Sequence, residues 1–270
     1  MSKQRLDILL TQKNLCPSRQ RAQTTIMSGL VYVNGHREDK PGLSVPVDAA
    51  IEVRGDPVGY VSRGGLKLAK ALDDFGLSVE GKLALDAGAS TGGFTDCLLQ
   101  HGACRVWAVD VGYGQLDWQL RNDERVVVME RTNIRYVMPE QIGTPLDMAV
   151  MDLSFISLKL VLPPIAALLA NGGQAICLVK PQFEAGRDKV GKKGVVRDPA
   201  VHAEVLHGFA ADAARAGYGV KAFTFSPIRG PEGNIEYLAH LGLGDAPEPA
   251  PDIAGIVAQA HAAFAGGSPL

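Results

Sequence analysis

Apolar positions at Leu6, Leu9 and Leu10, and again at Ala22, Ile26 and Met27, recur at helical spacing and predict two short helices over residues 4–13 and 18–28. Ser18 is placed to cap the second helix and Gly29 to stop it. The alternation then changes period: Leu30-Val-Tyr-Val-Asn-Gly-His reads as a strand entering an Asn-Gly turn, and Ala50-Ile-Glu-Val as a second strand, with Lys40-Pro-Gly between them. A unit of about 55 residues is marginal alone, so it is expected to lean on the rest of the protein or on a ligand. The Gly- and Pro-bearing stretch Arg54-Gly-Asp-Pro-Val-Gly-Tyr reads as its exit linker.

Beyond Ser62, apolar strands alternate with helical stretches, the pattern of a mainly parallel sheet with helices on both faces. Strands are expected at 83–87, 105–110, 126–129, 146–151 and 173–179, with two late ones near 218–226 and 234–240. Helices are expected at 64–75, 92–101, 114–120, 157–170 and 199–216, the fourth kinked or delayed by Pro163-Pro164. The Pro-rich segment from Ala246 leads into a short alanine-rich helix. The boundaries read as a small α+β domain over 1–56, a linker over 57–63, an α/β domain over 64–245 and a tail over 246–270.

Composition narrows the class. With 46% hydrophobic and 21% charged residues, the 270-residue chain is neither disordered nor fibrous. No apolar run approaches the ~20 residues of a spanning helix, and the start Met1-Ser-Lys-Gln-Arg-Leu-Asp lacks a signal-type apolar core. Cytoplasmic residence without stable membrane association is the expectation. Cys16, Cys97, Cys104 and Cys177 make no Cys-x-x-Cys pair and read as reduced thiols. His202 and His207 lack the spacing of a helical metal-binding pair, so no metal is expected. The net charge of −2 hides an asymmetry: residues 1–40 hold seven Lys or Arg against three acids, a balance of +4, leaving −6 for the remainder. A basic segment of this kind suits a polyanion, and equally a solvated face.

Four polar residues sit where chemistry is expected. Asp152 closes the apolar run from Leu146, Lys180 closes the run from Gln174, Glu236 lies in the strand-like Asn234-Ile-Glu-Tyr-Leu, and Lys67 opens an amphipathic helix. Open α/β sheets bind ligands outside the carboxyl ends of their strands. Between them in the chain, Leu83-Ala-Leu-Asp-Ala-Gly-Ala-Ser-Thr-Gly-Gly-Phe reads as strand, glycine-rich turn and helix start. It lacks the Lys-Ser/Thr of a phosphate loop and the Gly-x-Gly-x-x-Gly of dinucleotide sites, and Asp86 would oppose a pyrophosphate. An acid there suits a cationic ligand such as S-adenosylmethionine. Gly88, Gly92 and Gly93 allow close backbone approach, Asp110 suits a ribose diol and Asn133 an adenine edge.

These segments, with Asp152-Leu-Ser-Phe-Ile-Ser and Lys180-Pro-Gln-Phe-Glu, resemble the TlyA family of ribosomal RNA methyltransferases, relatives of the FtsJ-type ribose methyltransferases. Arg5-Leu-Asp, Ser18-Arg-x-x-Ala, Gly29-x-Val-x-Val-Asn-Gly and Lys40-Pro resemble an S-four-like RNA-binding module, and the two likenesses cover residues 3 to 240. The resemblance implies a Rossmann-like S-adenosylmethionine-dependent methyltransferase preceded by that module, acting on ribosomal RNA or ribosomal subunits. It implies 2′-O-methylation of ribose, typically of cytidine, by a quartet mapping to Lys67, Asp152, Lys180 and Glu236. The cofactor set becomes Asp86, Gly88, Ser90, Thr91, Gly92, Gly93, Phe94, Asp110, Asn133 and Asp152. One departure is visible: Gly59-Tyr60-Val61 stands where family members often carry Arg-x-Trp-Val, which puts coupling through the linker in doubt.

A ribose hydroxyl must lose its proton as it attacks, and a lysine at its ordinary pKa of ~10.4 cannot take it unless burial or a nearby cation intervenes. Lys180 is the expected acceptor, Lys67 the second cation, and Asp152 and Glu236 the orienting acids. A purely electrostatic role for the lysines competes with this. RNA contacts are expected from Arg5, Arg19, Arg21, Lys40 and Arg63, and from Lys189, Lys192 and Lys193 in the basic segment Gly186–Arg197, read as a phosphate-gripping lid or a solvated loop. Two other classes compete. A non-catalytic RNA-binding assembly factor would keep the fold, though all four quartet residues are present. The haemolysin label that the family has also carried finds no spanning segment or strongly cationic helix here.

Overall fold

A computed structural model describes residues 3–13, 15–16, 19–27, 29–53, 59–191, 193–230, 232–245 and 251–265, so Ser18, Lys192, residues 54–58 of the exit linker and residues 246–250 and 266–270 of the tail lie outside the described residues. The chain divides into two compact units, Met1–Gly65 and Leu66–Leu270.

In the first unit, β1 (Lys3–Arg5) leads into α1 (Leu6–Gln12) and α2 (Arg19–Met27), followed by β2 (Val31–Val33), β3 (His36–Glu38), β4 (Ser44–Pro46) and β5 (Ile51–Val53). Leu6, Leu9 and Leu10 are buried with Ala22, Ile26, Val31 and Val33. Met27, expected on the same inward face, is exposed at the helix end. The strand expected to enter an Asn-Gly turn does so: Asn34 and Gly35 both take positive φ, the two-residue turn that matches strand twist, and β3 returns along β2 as a hairpin. β5 pairs on the other side of β2, while β1 pairs with β4. Asp7 is wholly buried at the start of α1 and accepts from Arg5 Nε at 3.0 Å, Arg19 Nε at 3.0 Å and Gln23 Nε2 at 2.8 Å. The Arg5 hydrogen bonds first, then burial acting in the opposite direction, then Gln23 and Arg19 set its carboxyl, and the net result lies far below the usual carboxylate range.

The second unit is built on a seven-stranded sheet. In chain order it contains α3 (Gly64–Phe75), β6 (Leu83–Ala87), α4 (Gly93–Gln100), β7 (Arg105–Val109), α5 (Trp118–Arg121), β8 (Val126–Met129), α6 (Pro139–Ile142), β9 (Leu146–Met151), α7 (Leu162–Ala166), β10 (Leu169–Val179), α8 (Pro181–Glu184), α9 (Pro199–Arg215), β11 (Tyr218–Phe225), β12 (Tyr237–Leu243) and α10 (Ile253–Ala265). The strand order is β11-β12-β10-β9-β6-β7-β8; β10 through β8 run parallel, and β12 and β11 are antiparallel additions. The inner strands are apolar on both faces because both faces are covered.

Two expected helices shrink for local reasons. The stretch 157–170 is a 3-10 turn at Leu158–Leu160 and then α7, because Pro163 and Pro164 fit only a helix's first turn and β10 already begins at Leu169. Over 114–120 the helix starts only after Asp117, whose side chain accepts from Gln119 N. α10 buries Ile253, Val257 and Ala260 in the main core, so the tail helix is part of this unit. No helix among the described residues is long and apolar enough to cross a membrane.

Asp7→Asn should destabilise the first unit by about 2–3 kcal/mol, the scale of lost charge-assisted hydrogen bonds. Hydrogen exchange at the Leu6 amide, which donates to Leu43 O, should accelerate on the order of 50-fold, following from that energy. Because the Asp7 carboxyl is depressed in the fold, its contribution is complete above pH ~4 and is lost as pH falls through the folded value. Unchanged exchange in the variant at pH 7 would rule this role out.

Candidate active site

Parallel strands β6, β9 and β10 finish at one edge of the sheet, and β12 returns along β10 with Tyr237 opposite Val179. The residues just past β9 and β10, Asp152 and Lys180, therefore meet the residue just before β12. That residue is Glu236, which precedes the strand instead of lying within it. Lys67 reaches the same place from the first turn of α3. Its Nζ donates to Glu236 Oε2 at 2.7 Å and stands 3.7 Å from Asp152 Oδ2, while Lys180 Nζ lies 2.6 Å from Asp152 Oδ1 and donates to Ser154 Oγ at 2.9 Å.

The result is an alternating chain, Glu236–Lys67–Asp152–Lys180, with two positive and two negative charges. Lys67, Lys180 and Glu236 are buried. Burial raises the Asp152 carboxyl, but the charges of Lys67 and Lys180 outweigh it and leave the group below its ordinary value. Glu236 packs so closely on the backbone that a Cβ at Gly230 would come within 2.5 Å of its Oε1.

The glycine loop lies beside this chain. Gly88 has φ +88°, and a Cβ there would stand 2.7 Å from Asp152 O, so the turns after β6 and β9 touch. Asp110, just past β7, accepts from Ser90 N at 2.8 Å and from Gly112 N at 2.7 Å, which clips the loop to the next strand end. A cavity of about 440 Å³ opens here, lined by Gly88, Ser90, Asp110, Asn133 and Asp152 of the expected set and by Leu153 through Ile156. Asp86, Thr91, Gly92, Gly93 and Phe94 are outside its lining. Asp86 is buried in β6, where its Oδ2 accepts from Thr95 Oγ1 at 2.7 Å and its Oδ1 has no partner. Burial pushes its carboxyl up to about 7 against the Thr95 hydrogen bond, with Asp152 and Asp110 adding to the rise. A cavity lined by the Asp110 and Asp152 carboxyls, both of which act on the partly unpartnered Asp86, fits a cationic cofactor.

Residue-by-residue reading missed the aromatic rim. Phe155 is 91% exposed and adopts φ +63°, a left-handed conformation costing about 1–3 kcal/mol in a non-glycine residue. Its ring centroid lies 5.2 Å from that of Phe183, over which Lys180 Nζ stands at 5.8 Å. The signal was available: an aromatic in the polar Ser-Phe-Ile-Ser loop directly after a buried strand.

The residues expected to meet RNA have varied surroundings. Arg5 and Arg19 are tied to Asp7 yet about half exposed, Lys40 is exposed and Arg63 half-buried. The Arg21 side chain and Lys192 are outside the described residues. Lys193 is exposed and Lys189 pairs with Glu204. The expected lid is anchored in its second half: Val195 and Val196 are buried, and Asn234 accepts from Val196 N at 3.0 Å and donates to Gly194 O at 2.9 Å. Among the described residues no three His, Cys, Asp or Glu are arranged to hold a metal ion.

Comparison with known proteins gives two family matches: FtsJ-like methyltransferase over residues 60–243 and S4 domain over residues 4–51. A candidate rRNA methyltransferase of Bacillus subtilis, YqxC, is 53% identical over 266 residues, covering 96% of this chain and 94% of that one. The 16S/23S rRNA (cytidine-2′-O)-methyltransferase TlyA of Mycobacterium tuberculosis is 48% identical over 241 residues, with 88% and 89% covered. A solved structure of a hemolysin candidate from Streptococcus thermophilus superposes with a TM-score of 0.80 at 48% identity, covering 98% of each chain.

The raised Asp86 carboxyl has a measurable consequence. With a folded value of about 7 against ~4 in the unfolded chain, the folded state holds the extra proton between these values. Stability from this group is therefore full below pH ~4 and is lost as pH rises to about 7. Asp86→Asn should gain on the wild type between pH 5 and pH 8 by on the order of 2–3 kcal/mol in urea unfolding. Parallel pH profiles for the two proteins would contradict the assignment.

Proposed function

Because the chain belongs to the FtsJ-like methyltransferase family and carries an S4 domain, we propose that it transfers a methyl group from S-adenosylmethionine to the 2′-hydroxyl of a ribose, that of a cytidine, in ribosomal RNA. The observation that carries this reading is the double membership of Asp152, which lines the cofactor-sized cavity and also joins Lys67 to Lys180. A methyl donor and a charge-compensated proton-handling group are thereby brought side by side. The ribosomal substrate follows the named activity of the Mycobacterium tuberculosis relative and the S4 domain. Such a substrate implies the cytoplasm as the place of work.

In this reading Gly88 and Ser90 give backbone approach, Asp110 takes the ribose diol and Asn133 the adenine edge. Asp86 contributes negative potential from behind the wall. Bound there, S-adenosylmethionine supplies an electrophilic methyl on a positively charged sulfur. Lys180 would work from its neutral amine, its ammonium proton having first gone to solvent, and would take up the proton that the ribose hydroxyl loses in methyl transfer. Asp152, 2.6 Å from Lys180 Nζ, steadies the ammonium so formed. Lys67 and Glu236 hold the ribose side of the site and keep its charge balanced. Phe155, with Phe183 beside it, offers a face on which a splayed-out base can stack. Arg5, Arg19, Lys40, Lys189 and Lys193 supply phosphate contacts that weaken steeply with salt.

The direct test incubates the protein with labelled S-adenosylmethionine and ribosomal subunits from cells lacking it, then maps 2′-O-methylcytidine by nuclease digestion and mass spectrometry. No incorporation at any 2′-hydroxyl would refute the reading. Lys180→Arg keeps the charge and removes the proton acceptor, so the methyl-transfer rate should fall by about 10²–10⁴-fold while cofactor affinity stays within about threefold; substantial retained activity would reassign the lysine to electrostatics. Phe155→Ala should raise the RNA KM by about tenfold, the scale of one lost stacking contact; an unchanged RNA KM would remove the stacking role.

A further inference from the structure

Two loops carry the Asp152–Lys180 pair, and they are joined at a second place that the proposed reaction does not use. Glu184 ends α8, four residues after Lys180. Its Oε2 accepts from Ser157 Oγ at 2.6 Å, and its Oε1 from Leu158 N at 2.8 Å. These donors belong to the far end of the loop that starts at Asp152, where the buried Leu158 opens a 3-10 turn. At the near end, Ser154 Oγ accepts from Lys180 Nζ. Segment 154–157 is thus stitched to segment 180–184 at both ends. Between the stitches lies Phe155, in a left-handed conformation that an unrestrained phenylalanine would leave. Leu153, Ser154, Phe155 and Ile156 all line the cavity.

We infer that Glu184 is a positioning residue, whose carboxylate holds the 152–158 loop in the single conformation that lines the cofactor cavity and presents Phe155 beside Phe183. A carboxylate suits the place, because both oxygens accept at once, one from an O–H and one from a backbone N–H. Glutamine could keep the Leu158 bond through its oxygen, but at Ser157 its NH2 would have to donate, which reverses that bond and removes the charge that strengthens both. Burial pushes the Glu184 carboxyl up against these same two hydrogen bonds, consistent with a group retained for the bonds it accepts. The inference rests on the methyltransferase reading, since the loop's task is defined by that cavity.

The test compares the wild type with Glu184→Gln, Ser157→Ala and the double variant, as full chains, in three measurements. Single-turnover methyl transfer to ribosomal subunits should fall at least about tenfold in Glu184→Gln, since small misplacements of reacting groups cost up to about a hundredfold. S-adenosylhomocysteine binding, followed by calorimetry without RNA, should weaken by a similar factor. RNA affinity without cofactor should weaken by no more than about tenfold, the scale of the lost Phe155 stack. Ser157→Ala should show the same pattern less strongly, and the double variant should be no worse than Glu184→Gln alone, because both changes remove one stitch. Ser157→Thr, which keeps the hydroxyl, should restore transfer. If Glu184→Gln does not fold, Ser157→Ala and Ser157→Thr decide the matter. Variants that fold and retain wild-type transfer and cofactor binding would overturn the inference, as would additive losses in the double variant. Wild-type protein that transfers no methyl would instead refute the underlying reading.

Discussion

A buried charge is tolerated only beside its opposite, and the site of this protein is organised by that requirement. Lys67, Lys180 and Glu236 lie beneath the surface, and each would be costly alone. Asp152 is the residue that makes them compatible, because it faces both ammonium groups while Glu236 takes the other side of Lys67. Four residues from four separate elements are held to one arrangement by this compensation. The same balance lets an ionisable cluster persist at the edge of an apolar sheet.

The cavity beside the quartet inherits its shape from that arrangement. Gly88 lies against the Asp152 carbonyl, so the glycine loop can follow its path only if the turn after β9 follows its own. Asp110 pulls Ser90 and Gly112 together, and Glu184 ties down the other end of the Asp152 loop. Electrostatics run through the same contacts: Asp152 and Asp110 add to the rise of the buried Asp86 carboxyl, while the two lysines lower that of Asp152. One carboxylate is kept ready to ionise and its neighbour is kept ionised, although both sit at the ends of adjacent strands.

Other charged residues turn out to be structural. Arg5 and Arg19 carry part of the basic character of the first unit, yet both are spent partly on Asp7, a carboxylate buried under them. These bonds hold both guanidinium groups in place over α1. In the second unit, the basic segment after α8 is held by Asn234, so Lys193 projects from beside an anchored turn.

By itself the sequence determined the element order, because strands of a covered parallel sheet leave mostly apolar runs; 83–87, 126–129 and 146–151 are legible for that reason. It also determined which residue types stand at strand ends, and so the candidate quartet and loop. Where local signals conflict, in the Pro163-Pro164 stretch and around Gly112 and Gly114, helix lengths were misread because proline and glycine override apolar spacing. Only the tertiary structure decided who meets whom. Glu236 faces Lys67 because β12 runs antiparallel to β10 and starts where β10 ends. Pairing of this kind depends on strand order and direction, and neither is written in the spacing of residues along one strand. The exposure of Phe155, the Glu184 stitch and the burial of Asp7 belong to the same class, since each is a contact between segments whose separation in the chain carries no period to read.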